Sequence, residues 1–198
     1  MASTQTPYGF RAVNELGGLP YAGSTRSFAI DPAGYGTNIF NGSIVAINTN
    51  GYLNIVTTNG DNSTPFPAGT IGVFVGCSYV NTQGQTVYSQ YYPANALNAI
   101  AFVVDDDRAV FQVQANNTVA ASALGTNVFL AAVQSTSTGS TTSGNSTSNV
   151  SASSVATTAA FRIVGFVNNA QSQVGDAYTD LLVKFNPGYH SYTIAIGL

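Results

Sequence analysis

Charge is what this chain of 198 residues has least of: five Lys and Arg and eight Asp and Glu, together 7% of the sequence, against about 25% in an average soluble protein. Five cations cannot form the basic stripe that nucleic acid demands, so nucleic acid is not expected as a partner. Tryptophan is absent and Cys77 is the single cysteine, which excludes an intrachain disulfide and any cysteine-based zinc site. No apolar run approaches the length of about 18 residues that a membrane helix needs, so no membrane partner is expected. Met1 to Phe10 has no apolar stretch, and synthesis without a secretory signal, in a cytoplasm, is the expectation. With a net charge of −3, copies repel each other weakly, as suits a surface covered by neighbours.

What replaces charge is neutral polarity. Ser, Thr, Asn and Gln number 69, beside a 44% hydrophobic fraction and 22 Phe and Tyr. That apolar content is too high for a disordered chain. A compact monomer of this mass has roughly 8,800 Å² of accessible surface, and most of the chain can be buried.

The dominant pattern is strand. Runs rich in Val, Ile, Phe and Tyr, bounded by Gly, Asn, Pro and Asp, cover Ser43–Ile47, Tyr52–Val56, Ile71–Tyr79, Thr86–Tyr91, Ala99–Val104, Val110–Gln114, Phe161–Val167, Ala177–Phe185 and Ser191–Ile196. Asn50-Gly51 and Asn59-Gly60, with Asn41-Gly42 as a third candidate, suit type I′ hairpin turns. Only Val119–Val133 has the Ala and Leu for a helix, and Gly125 and Asn127 interrupt it. The expectation is an all-β barrel or sandwich with at most one short helix.

Two segments differ. Residues 1–35 carry three of the seven prolines and little periodicity, reading as an extended arm before one β-rich domain over 36–198. Its aromatic and cationic groups, Tyr8, Phe10, Arg11, Tyr21 and Arg26, are candidate anchors on a neighbouring subunit. Residues 135–158 hold 16 Ser and Thr in 24 positions. The part at 135–149 reads as an exposed loop, while Val150, Ala152 and Ala156 extend toward the next strand.

Chemistry-bearing groups are few. His190, the only histidine, sits in a turn-like context without a nucleophile elbow, so a triad is not expected. Asp105, Asp106 and Asp107 form the one acidic run. It reads as a hairpin tip neutralised by Arg108, as an ionic contact to a neighbour, or as a hard-cation site that lacks the spacing of a calcium loop. Gly34-Tyr35-Gly36 lacks the third glycine of a dinucleotide fingerprint. Tyr91 and Tyr92, with Tyr88, offer aromatic surface for an interface or for sugars. No cofactor and no metal is expected, and Cys77 reads as a small buried hydrophobe.

One ordered series goes further. Thr6-Pro7-Tyr8-Gly9-Phe10-Arg11, Gly17-Gly18-Leu19-Pro20-Tyr21-Ala22-Gly23-Ser24, Ile39-Phe40-Asn41-Gly42-Ser43-Ile44-Val45 and Ile71–Tyr79 occur in that order. Asp105-Asp106-Asp107 with Phe111-Gln112-Val113-Gln114-Ala115, the Ser/Thr loop before Phe161–Phe166, and Gly175–Asp180 complete it. Together they resemble small structural proteins of tailed bacteriophages, the capsid cement or decoration proteins. The third segment has Asn-Gly-Ser where those proteins have Gly-Asp, and the low charge departs from more acidic relatives. The resemblance implies a non-enzymatic virion protein on the outer surface of the phage head, made in the host cytoplasm. It would bind the major capsid protein as a homo-oligomer, a trimer before a dimer. Alternatives are another virion part such as a head fibre or tail adaptor, a sugar-binding β module, or a glycosidase. The last would draw a carboxylate pair from Asp105–Asp107, Asp176 and Asp180.

Overall fold

The computed structural model describes residues 4–155, 157–195 and 197. Residues 1–3 of the expected arm, and Ala156 and Ile196 of expected strands, lie outside them. The strands are β1 (Arg11–Glu15), β2 (Arg26–Ala29), β3 (Ile44–Ile47), β4 (Leu53–Ile55), β5 (Thr70–Val80) and β6 (Thr86–Ser89). They continue with β7 (Leu97–Val104), β8 (Ala109–Gln114), β9 (Asn127–Val128), β10 (Phe161–Phe166) and β11 (Asp180–Phe185). Two antiparallel sheets result. The first runs β1-β8-β11-β10-β9, the second β2-β7-β5-β3-β4, with β6 paired to the remaining length of β5. The fold is an all-β sandwich, as the strand pattern requires.

Alternation explains the first sheet. In β11, Leu181, Val183 and Phe185 are buried while Asp180, Leu182 and Lys184 face outward. The inward set packs with Phe111, Val113, Phe161 and Ile163 of the same sheet, and with Ile44, Ala46, Val73 and Val104 of the second. The second sheet is apolar on both faces. Val45, Leu53, Ile71, Phe74, Ala101 and Val103 point away from the first sheet, into a second cluster closed by Ile30, Ile39 and Tyr92. The segments around residues 30–40 and 91–96 thus form a third layer. Long β5 serves both clusters through register shifts at its partners. At one of these Gly72 has φ +140, and a Cβ there would stand 2.0 Å from the Val104 carbonyl oxygen. Only glycine fits such an approach.

The turns follow one recipe that differs from the expected type I′. Between β3 and β4, Gly51 donates to the Asn48 carbonyl, while the Asn48 side chain accepts from Asn50 and Tyr52 N–H. Asn81 and Gly84 repeat this between β5 and β6. Gly51 takes positive φ but Asn50 does not, so these are type I turns closed by a left-handed glycine. Asn59-Gly60 and Asn41-Gly42 make no hairpin; a Cβ on Gly60 would meet Phe66 and Ala160 at 2.6 Å.

The short helix allowed in Val119–Val133 is one 3-10 turn, Ala121–Ala123, which Gly125 ends before a short strand. Three expectations are corrected. Ser191–Thr193 is a 3-10 turn instead of a strand. Residues 1–35 are no separate arm: β1 and β2 each complete the edge of one sheet. The Ser/Thr loop is built into the domain. Gln134, buried, accepts from Ile44 N–H and donates to the Ile44 and Val56 carbonyls, acting as a backbone surrogate beside β3. Ser148 donates to the same Gln134, and Gly139 lies so close to the Phe40 ring that a Cβ would fall 2.2 Å from it.

Candidate interaction surfaces

The N-terminal residues enter the fold at a glycine pair. Phe10 N–H donates to the Gly42 carbonyl at 3.0 Å, and a Cβ on Gly9 would stand 2.9 Å from Gly42. The crossing delivers Phe10 into the inter-sheet core, 1% exposed, stacked on Phe161 at 4.8 Å and edge-on to Phe111 at 6.4 Å. Asn41 closes the junction by pairing with Gly144 and Ser146 of the Ser/Thr loop. Three of the ordered sequence segments therefore meet at one structural node. Phe10 cannot anchor a neighbouring subunit, because burying it holds this domain together.

Tyr8 and Arg11 stay at the surface on the outer face of the first sheet. The Tyr8 hydroxyl donates to Asp180 Oδ1 at 3.1 Å, and the Arg11 guanidinium lies 4.4 Å above the Tyr8 ring. Burial pushes both ionisable groups up: the Tyr8 phenol, with the Asp180 charge adding to the effect, and the Asp180 carboxyl, against hydrogen bonding from Tyr8 and Gln112. Tyr21 packs on the edge of the core, its hydroxyl donating to the Ser24 carbonyl.

Arg26 and Asp105, placed far apart by sequence, meet at 3.0 Å. Tyr192 completes the group, donating to Asp105 Oδ2 at 2.7 Å and accepting from Arg26 at 2.7 Å. Burial first, then the Asp105 hydrogen bond, pushes the Tyr192 phenol up to about 12. The acidic run is not a hairpin tip. It is the corner where β7 of the second sheet becomes β8 of the first, and Asp106 caps its own turn by accepting from Arg108 N–H. Asp105 is paired with Arg26 rather than with Arg108; Asp106 and Asp107 remain half-buried. Under this corner His190 is fully buried, its Nδ1 accepting from Tyr192 N–H. The proton therefore sits on Nε2, which has no hydrogen-bond partner among the described residues.

Tyr91 and Tyr92 divide in role. Tyr91 stacks on Phe40 at 5.7 Å. Tyr92 is wholly buried, its hydroxyl accepting from Tyr35 N–H at 2.8 Å and donating toward Ala96 at 2.9 Å, so it is a fastening of the third layer and not an interface group. Cys77 is buried and burial pushes its thiol up to about 12.

Tyr88 was legible as a surface aromatic, but the residues that surround it were not. Cross-strand pairing sets Tyr88 (β6), Ser78 (β5), Ile100 (β7) and Ala29 (β2) in one row on one face. This face begins under the first sheet at Val104 and runs beyond its cover. Tyr88 is 76% exposed and Ile100 39%, and the Tyr88 ring lies parallel to Phe102 at 6.4 Å. A strand apolar on both faces reads as buried on both, so nothing in β7 marked Ile100 as open. No family model, curated protein or solved structure matches the chain.

Proposed function

We propose that the chain is a structural virion protein that binds the outside of a tailed-phage capsid and cements major capsid subunits together, as a homo-oligomer. The ordered series of segments supports this reading. The observation that carries it in the fold is the open row Ala29–Ile100–Ser78–Tyr88 with Phe102, an uncharged, aromatic-rich surface of the kind that forms the centre of protein interfaces. It spans four strands and ends at β2 and β6, whose outer edges pair with no strand among the described residues. Such edges accept a partner's backbone as well as its side chains. A head that already holds its own shell together gains from added contact area outside, and this face offers area without long-range charge.

The test is adsorption to empty, undecorated heads. The intact chain binds saturably, and Tyr88→Ala and Ile100→Ser each weaken binding by at least roughly tenfold while the melting temperature stays close to that of the parent. Failure of the intact chain to adsorb, or adsorption untouched by both substitutions, overturns the reading.

A further inference from the structure

The outer face of the first sheet carries a cleft of about 430 Å³ between the N-terminal segment and the chain that follows β10. That volume falls within the range of small-ligand sites, about 300–1,000 Å³. Tyr8, Arg11, Gln112, Gln114, Asn169 and Asp180 line it, with almost no apolar side chain among them. We infer that this cleft binds a short neutral saccharide.

Charge comes first. Arg11 and Asp180 contribute one positive and one negative group, so the site has no net charge to attract an ion. An anion would meet Asp180 and a cation would meet Arg11. The ligand that gains from both is neutral and carries donors and acceptors side by side.

Hydrogen-bonding capacity gives the second argument. The Arg11 side chain makes no hydrogen bond among the described residues, although its guanidinium is held over Tyr8 at 4.4 Å; its fork of donors is oriented and free. Asp180 uses Oδ1 for Tyr8 and has Gln112 as a second donor beside it, and its two oxygens still retain acceptor capacity on a carboxylate built for paired donors. Asn169 accepts two backbone N–H groups through Oδ1, which leaves its amide NH₂ to donate. Adjacent hydroxyls of a sugar ring each donate once and accept twice. They match a guanidinium, a carboxylate and an amide set around one cleft.

The third argument is rigidity. Gln114 is buried and locked, accepting from Thr6 N–H at 3.0 Å and donating to the Thr4 carbonyl at 3.2 Å. Gln112, Gln114 and Asp180 stand on paired strands, with Gln114 opposite Asp180. A cleft fixed before binding loses little entropy when a ligand enters. A peptide would also match donors with acceptors, but its side chains need apolar pockets that this lining lacks.

The inference does not rest on the capsid reading, since head adsorption is assigned to the Tyr88 face on the other sheet. The experiment titrates the full chain with glucose, galactose, mannose, N-acetylglucosamine and their disaccharides. Saturation-transfer NMR and the melting temperature are the readouts. At least one neutral sugar is expected to bind saturably in the millimolar range, and Asp180→Asn and Arg11→Ala each to weaken it by roughly tenfold or more. Arg11 is exposed, so Arg11→Ala keeps the fold and the test stands if Asp180→Asn does not express. No saturable binding by any of these sugars, binding unchanged in Arg11→Ala, or tighter binding of galacturonate or of a tetra-alanine peptide than of the neutral sugars overturns the inference.

Discussion

The two sheets pack face to face, yet their far sides have opposite fates. The far side of the first sheet stays open and polar. It bears Arg11, Gln112, Asp180, Arg162 and Lys184, which include three of the five cations in the chain. The far side of the second is roofed by Ile30, Ile39 and Tyr92 and becomes a second core. The difference traces to strand composition. β11 reads Asp-Leu-Leu-Val-Lys-Phe and can leave one face in water; β3 reads Ile-Val-Ala-Ile and cannot. A sheet apolar on both faces must find a further layer, and here it is made of loops held by the Tyr92 and Asn38 side chains in place of helices.

The comparison predicts a graded response to substitution. Phe10→Ala removes a ring from the inner core that both sheets share, and the stability lost should be about 3–5 kcal/mol. Chemical denaturation measures it. A loss below about 1 kcal/mol would mean that the N-terminal segment is an appendage after all.

Gln134→Leu keeps the volume but leaves Ile44 N–H and the Val56 carbonyl without that partner. About 1–3 kcal/mol should go, and amide exchange at Ile44 should rise. Unchanged exchange there would show that the Ser/Thr loop does not seal the edge of β3.

Tyr92→Phe probes the third layer alone. Loss of the hydroxyl strands Tyr35 N–H and costs about 1–2 kcal/mol, against no effect on the first sheet. If the cost is nil, the layer is a cover and not part of the cooperative fold.

At the corner that joins the sheets the effect is read as pH dependence. Burial holds His190 below its ordinary 6.5, while the charges of Asp107, Asp105 and Asp106 pull in the other direction. A lowered folded pKa means that the unfolded chain takes up protons first as the pH falls through 6.5. The contribution of His190 is therefore present above 6.5 and is lost as the pH drops toward and through the lowered value. Melting temperatures across pH 5 to 8 should fall on the acid side, and His190→Asn should flatten that part of the slope; equal slopes would refute it.

The smallest effect belongs to the ion pair. Arg26 is 61% exposed, so Arg26→Ala should cost no more than about 1 kcal/mol. A larger loss would mark the Arg26–Asp105–Tyr192 group as the clasp between sheets.

The amino-acid pattern by itself determined the all-β class and most strand positions, because alternation acts over a few residues, but of its three Asn-Gly pairs only Asn50-Gly51 closes a hairpin, as a type I turn. It also marked Tyr8, Arg11, Arg26 and Asp105 as notable without telling which would meet. Pairing Arg26 with Asp105, or Tyr8 with Asp180 across 172 positions, depends on which strands share a sheet, and local sequence does not encode that. Phe10 and Tyr92 looked like exposed anchors because an aromatic beside Gly or Pro has the same local signature in a core as at an interface. Only the tertiary structure decided between them: Gly9 against Gly42 let the backbones approach closely enough to draw Phe10 inward. The loop roof left Tyr92 dry, while Tyr88, three residues beyond the turn between β5 and β6 in the same uncharged setting, was left in water.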